Sequence, residues 1–172
     1  MSDLNRPVIM TASMGKEDFA WADGLRRLHF PPERNFLSAH ITLFHHLPPQ
    51  ALPEIRKAVS DLCRHNPKPV AELSKLIHLG RGVAFQVRCP ELVEMRMELA
   101  EMFHGLLVAQ DQQRPRLHIT VQNKVTPGEA KELLKNLEAD FAPRPFEITG
   151  LALHYYMDGP WRDIGQWPFR GR

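Results

Sequence analysis

One tetrad occurs twice in this chain and constrains it more than any other feature. His40-Ile41-Thr42-Leu43 returns as His118-Ile119-Thr120-Val121, each reading histidine, apolar, threonine, apolar. With nine histidines, ten serines and threonines and 43% apolar positions, chance gives on the order of 0.1 such tetrads. The surroundings repeat as well. His40 stands 29 residues before Pro69 and His118 stands 27 before Pro145, and each proline is followed nine residues on by a histidine, His78 and His154. This is a duplicated supersecondary unit, approximately 17–88 and 91–169, inside one bilobal domain spanning 1–172. Two copies are too few for a solenoid. Duplication predicts a pseudo-two-fold axis with equivalent strands facing each other across it.

Periodicity fills in each unit. Pro7 to Ala12 reads as a short buried strand ahead of the first copy. Trp21, Leu25 and Leu28 mark a helix over Glu17 to Leu28, and a proline-containing loop leads to a strand at Ser38 to His46. Ile55, Val59 and Leu62 recur at helical spacing. Strands at Val70 to Leu79 and Gly82 to Arg88 follow, joined by Gly80-Arg81-Gly82. In the second copy Leu92, Met95, Leu99, Phe103 and Leu106 predict one long amphipathic helix. A polar loop from Gln110 to Pro115 precedes a strand at Arg116 to Lys124. Thr126-Pro127-Gly128-Glu129 reads as a capping box with proline at the first helical position. Strands near Phe146 to Tyr156 and Trp161 to Trp167 close the chain. The sum is an α+β fold with mainly antiparallel sheet.

Side chains alternate between the two faces of a strand. Ala39, Ile41 and Leu43 therefore share a core face, as do Leu117, Ile119 and Val121. The other faces carry Ser38, His40, Thr42, Phe44 and His46 in one copy, and Arg116, His118, Thr120, Gln122 and Lys124 in the other. Imidazoles, hydroxyls and cations are not buried without partners, so these rows predict the lining of one cleft. The set suits phosphoryl chemistry. One imidazole takes a proton from an attacking oxygen and the other donates to a leaving oxygen on the far side of phosphorus. The threonine hydroxyls can donate to the non-bridging oxygens, while Arg116 and Lys124 offset phosphate charge.

Other features narrow the field. There is no Gly-rich phosphate loop and no GxSxG elbow, which argues against nucleoside triphosphatases and serine hydrolases. The net charge of +2 is too small for a histone-like nucleic-acid binder. Cys63 and Cys89 lack CxxC spacing and read as reduced thiols. The segment from Met1 to Thr11 lacks the basic and apolar parts of a secretory signal, so a cytoplasmic protein is expected. His45 and His46 invite a metal reading with His40, but no Asp, Glu or Cys lies near in sequence to complete a site. His46 is expected on the His40 face and His45 on the opposite one, with His78 and His154 structural. Trp21, Phe44, Tyr155, Tyr156 and Trp161 are candidates to stack on a base.

The paired His-x-Thr motifs in a duplicated small α+β chain resemble the two-histidine phosphoesterase superfamily, within it the 2′-5′ RNA ligase and RNA 2′,3′-cyclic phosphodiesterase proteins. The resemblance spans nearly the whole chain. It implies a bilobal fold of two mainly antiparallel sheets, helices outside and a central groove, working without metal or cofactor. It makes His40 and His118 catalytic and gives Thr42 and Thr120 the phosphate. Many relatives carry an arginine soon after the second motif, where this chain has Gln122-Asn123-Lys124. The implied activity is opening of a 2′,3′-cyclic phosphate or cleavage of a 2′-5′ phosphodiester, with RNA or a nucleotide as substrate and ligation as the reverse reaction. Two alternatives stand beside it: an RNA-binding module that grips phosphate without turnover, and the same chemistry on a small cyclic nucleotide such as an ADP-ribose cyclic phosphate. A monomer with no membrane or obligatory protein partner is expected.

Overall fold

The computed structural model describes residues 5–172; the first four residues of the Met1–Thr11 segment lie outside it. Helices of up to fourteen residues alternate with seven strands among the described residues. In chain order these are β1 (Val8–Met14), α1 (Lys16–His29), β2 (Ile41–Leu47), α2 (Leu52–His65), β3 (Val70–His78) and β4 (Val83–Arg88). Then come α3 (Pro90–Met102), α4 (Ala109–Gln112), β5 (His118–Gln122), α5 (Pro127–Asp140), β6 (Arg144–Tyr156) and β7 (Trp161–Pro168). No helix among the described residues is long and apolar enough to cross a membrane.

All strand pairings are antiparallel, and the path runs β2-β1-β6-β3-β4-β5 with β7 also on β6. The thirteen-residue β6 belongs to two sheets. Its first part, from Arg144 to Glu147, pairs with β3. Its remainder lies between β1 and β7. Each sheet therefore mixes strands from both copies of the repeat: the one holding β2 uses β6 and β7, and the one holding β5 uses β3 and β4. Helices follow the same exchange. α1 packs on β5 and α5 on β3 and β4, while α2 packs on β6 and β7 and α4 on β2. β2 and β5 terminate the strand path, yet they touch each other, so the two sheets fold toward one another along the motif strands.

Local chemistry explains most boundaries. The capping box forms: Glu129 N–H donates to Thr126 Oγ1 at 3.2 Å, and Thr126 N–H to Glu129 Oε1 at 3.4 Å. At the β3–β4 hairpin Gly80 takes φ +88, a conformation that disfavours a Cβ. Gly82 meets β5 so closely that a Cβ there would stand 2.0 Å from the Gln122 carbonyl oxygen.

Two expectations change. The single helix over 92–106 stops at Met102, because the chain tightens at Phe103–His104 and turns through Gly105 at φ +86. Leu92, Met95, Leu99 and Phe103 are buried as expected, but Leu106 is exposed. The polar loop from Gln110 to Pro115 begins as the short helix α4, and its Asp111 is completely buried.

Candidate active site

The two motif histidines are held in the same way. His40 sits one residue ahead of β2 and donates from Nδ1 to the Ser38 carbonyl at 2.8 Å. His118 opens β5 and donates from Nδ1 to the Arg116 carbonyl at 2.7 Å. A carbonyl only accepts, so Nδ1 carries the hydrogen in both rings and Nε2 remains for proton exchange. Thr42 and Thr120 follow at half-buried positions.

Directly after each threonine the strand bulges. Met10 pairs with Phe44 while Thr11 pairs with Thr42, leaving Leu43 as an extra residue; Val83 pairs with Gln122 while Ala84 pairs with Thr120, leaving Val121 as another. Bulges re-aim side chains and recur next to active sites. Here they end the alternation: Leu43 and Phe44 are both buried, and so are Val121 and Gln122. A second shift between Phe44 and Leu47 leaves His45 and His46 both exposed. Their backbone N–H groups both donate to the Asp111 carboxylate, at 2.9 Å each, and the His45 ring adds a contact at 3.1 Å. Burial alone would raise the Asp111 carboxyl, but these hydrogen bonds hold it below the usual carboxylate range.

Helix α1 braces the first motif against the second. Asp23 accepts from the Ala39 N–H at 2.9 Å. Buried Arg26 donates from Nε to Asn35 Oδ1 at 2.8 Å and to the Leu37 carbonyl at 3.0 Å. Its Nη1 reaches the Thr120 carbonyl at 3.1 Å. The guanidinium also lies 4.2 Å from the Phe30 ring centre. Desolvation lowers the Arg26 pKa from its ordinary value.

Another histidine, His154, shares a groove with His40. His154 on β6 lies between Thr11 Oγ1, 2.9 Å from its Nε2, and Asp163 Oδ1, 2.8 Å from its Nδ1. The Trp161 ring stands against both His40 and His154, with ring centres 4.7 and 5.0 Å away. These side chains, with Phe36, Ser38 and Gln166, line a cavity of about 530 Å³. Burial pushes the His40 imidazole down to about 4; the Ser38 hydrogen bond opposes this, while the charges of Arg26, His118 and His154 reinforce it.

The family model of the 2′-5′ RNA ligase superfamily matches residues 15–160. The chain belongs to that superfamily. A phosphoesterase- or ligase-type function goes with the membership. Among solved structures, the Thermus thermophilus protein TT0787 is 15% identical with TM-score 0.67, covering 96% of this chain and 99% of its own. E. coli LigT in complex with NADP+ is 18% identical with TM-score 0.57, covering 96% and 98%. A protein described only as a phosphoesterase is 18% identical with TM-score 0.58, covering 96% and 98%. No curated protein matches by sequence.

Within this 2′-5′ RNA ligase superfamily fold the residues singled out from the sequence separate into two groups. His40 lines the groove, and His118 lies close enough to act electrostatically on the His40 imidazole. Thr42 and Thr120 precede the bulges on the matching strands. Arg116 has an exposed side chain, and its carbonyl orients His118. Lys124 is not brought to the groove. β5 ends at Gln122, Lys124 turns through φ 63, and its side chain lines a separate surface recess with His29, Pro32 and Glu129. His46 likewise leaves the His40 face, because the bulges break the period of two. His78 ends β3 and accepts from the Gly80 N–H, whereas His154 enters the groove. Of the five candidate stackers, Trp161 lines the groove. Trp21 packs on Phe85, Phe44 is fully buried, and Tyr155 packs on the core. Thr11, Arg26 and Asp163 carry no sequence signal for the site; His154 carried one, its match to His78.

Proposed function

We propose that the chain is a metal-independent phosphodiesterase that opens RNA or nucleotide 2′,3′-cyclic phosphates or cleaves 2′-5′ phosphodiesters, with 2′-5′ ligation as the reverse reaction. The observation that carries this reading is the matched pair of imidazoles, each tied by Nδ1 to the carbonyl two residues back. Such a pair supplies a fixed Nε2 on each side of a phosphorus atom. In the hydrolytic direction one Nε2 takes a proton from water as its oxygen attacks phosphorus. The other gives a proton to the 3′ oxygen as the P–O3′ bond breaks, leaving the phosphate on the 2′ oxygen. His40, depressed to about 4 by burial, is neutral at physiological pH and suits the accepting role; His118 then donates. Thr42 and Thr120 hydroxyls donate to the non-bridging oxygens, and the Arg116 side chain adds positive charge near the second motif.

A nucleotide ligand is supported by two observations. The cavity of about 530 Å³ beside His40 falls in the range of small-molecule sites. LigT has been crystallised with NADP+, 3′-AMP and ATP. Trp161 against His40 offers a flat apolar surface next to the reacting phosphate. The test is turnover of nucleoside 2′,3′-cyclic phosphates and of short RNAs with 2′,3′-cyclic ends, each with and without chelator. Conversion of at least one to its 2′-phosphate is expected. Binding of these compounds without any conversion would leave only a phosphate-gripping module.

A further inference from the structure

The two motif strands differ in what stands opposite their threonines. Thr42 on β2 pairs with Thr11 on β1, whereas Thr120 on β5 pairs with Ala84 on β4. Directly opposed residues bring their Cβ atoms to ~4.5–5.5 Å, so the Thr11 and Thr42 side chains are neighbours. Thr11 is 4% exposed, lines the groove, and has its hydroxyl engaged by His154. The first motif strand thus faces a hydroxyl where the second faces the methyl group of Ala84.

A threonine hydroxyl has one hydrogen, and its direction is set by its neighbour. A carboxylate oxygen of Asp163 accepts from His154 Nδ1, which fixes the hydrogen there. When His154 is neutral its Nε2 is a lone pair, and the Thr11 hydrogen is spent on it. The groove then sees only Thr11 oxygen lone pairs, which repel a phosphate oxygen. When His154 is an imidazolium, Nε2–H donates to Thr11 Oγ1, and the Thr11 hydrogen is released toward the groove. The titratable groups facing His154 are Asp163 from β7 and His40 from the segment entering β2.

We propose that Thr11 is a third phosphate-binding hydroxyl, and that the Asp163–His154 pair is a positioning relay whose protonation turns its donor into the groove. Taking up a tetrahedral dianion would accordingly draw a proton onto His154. The relay rests on the reading of the groove as a phosphate site, and it assigns Thr11 and His154 to binding instead of proton transfer with substrate.

Sulfate is a suitable probe, since it stays a dianion across the range and is not turned over. Its affinity is measured by calorimetry for the native protein and for Thr11→Val at pH 5 and pH 8.5, which bracket the ordinary imidazole value of ~6.5. The ratio of the two affinities cancels whatever His40 and His118 contribute to both. A ratio of about ten at pH 5 is expected, as for loss of one hydrogen bond to a charged group, falling toward one at pH 8.5. Thr11→Ser restores native binding. In a His154→Phe background the ratio becomes the same at both pH values. Nitrogen-15 spectra of the histidines show His154 passing to the imidazolium as sulfate saturates. A ratio that does not move with pH in the native background, or a His154 ring that stays neutral under saturating sulfate, overturns the relay. Should the sulfate pattern hold while no cyclic phosphate is converted, the phosphodiesterase reading fails and the relay stands. Conversion with a flat ratio has the reverse meaning.

Discussion

Arg26 on α1 and Arg96 on α3 occupy matching places: each is buried, and each donates to a backbone carbonyl in the motif strand of the other copy. Arg26 reaches Thr120 on β5, and Arg96 reaches Leu43 on β2 from Nε at 3.0 Å. Each guanidinium also lies over a phenylalanine, Phe30 at 4.2 Å and Phe44 at 4.0 Å. Arg96 further holds the Asp111 carbonyl. Crossing donors of this kind make the position of each motif depend on both copies.

Replacing either arginine with methionine keeps much of the volume and removes the donors. Each orphaned buried carbonyl costs ~1–3 kcal/mol, so thermal unfolding midpoints should fall for both variants. The Arg26 variant should also lose turnover, because it frees the approach to His40 from Thr120. A folded Arg26→Met protein with native kcat would show that this tie does not position the site.

His40→Ala and His118→Ala should each lower kcat by ~10²–10⁴-fold, and the double variant by less than the product. The two roles are separable by leaving group. A substrate with a better leaving group at the 3′ position should rescue His118→Ala and not His40→Ala. Equal rescue of both would mean the roles are not divided in this way.

The depressed His40 gives a pH prediction of definite sign. As a base it is neutral above about pH 4 in the free protein, so the acid limb of kcat/KM should fall below the ordinary imidazole value. Stability follows the same group. Between about 6.5 and 4 the unfolded chain binds a proton that the folded one does not. Stability therefore rises with pH through this window and is lost as the pH falls. Denaturant titrations of native and His40→Asn proteins should diverge in it, with the variant showing the shallower slope.

Thr42→Val and Thr120→Val remove one donor each and should slow turnover less than the histidine changes. A lost donor to developing charge costs on the order of 2–4 kcal/mol. Full activity in the double variant, measured where chemistry limits the rate, would take both hydroxyls out of the site.

Activity should persist in EDTA, since two imidazoles supply the proton transfers a metal-bound water otherwise would. Loss on chelation with recovery on adding one divalent metal would point to a metal-dependent reaction instead.

What could be read from the sequence was local. The doubled tetrad, the capping box at Thr126 and the Gly80–Gly82 turn each lie within a few residues, and each formed as its chemistry dictates. The alternation rule held from Ala39 to Thr42 and from Leu117 to Thr120. It failed at Phe44 and Gln122, expected on the polar faces but buried once the strands bulge after Thr42 and Thr120; such a bulge shows only in the pairing with the neighbouring strand. His46 was misplaced for that reason, and Lys124 because β5 ends at Gln122 and the chain turns at Lys124 with φ 63. The groove and the bracing of the motif strands depend on distant pairings: Thr11 with His154 across 143 positions, Arg26 with Thr120 across 94, and His45 with Asp111 across 66. No spacing rule reaches that far.

The shared strand β6 has a consequence for how the chain acquires its structure. Residues 144–156 close both sheets, so neither can be completed until the final segment of the sequence is available. During synthesis the first half of the chain must wait with β1, paired to β2, and β3, paired to β4, each open on the edge that β6 will take, and exposed strand edges invite association. The protein is then expected to acquire its structure late and in a single cooperative step, slowly for its size because its defining contacts are remote. Cutting it between the copies should yield two fragments that are each unstructured alone and recover structure only when mixed.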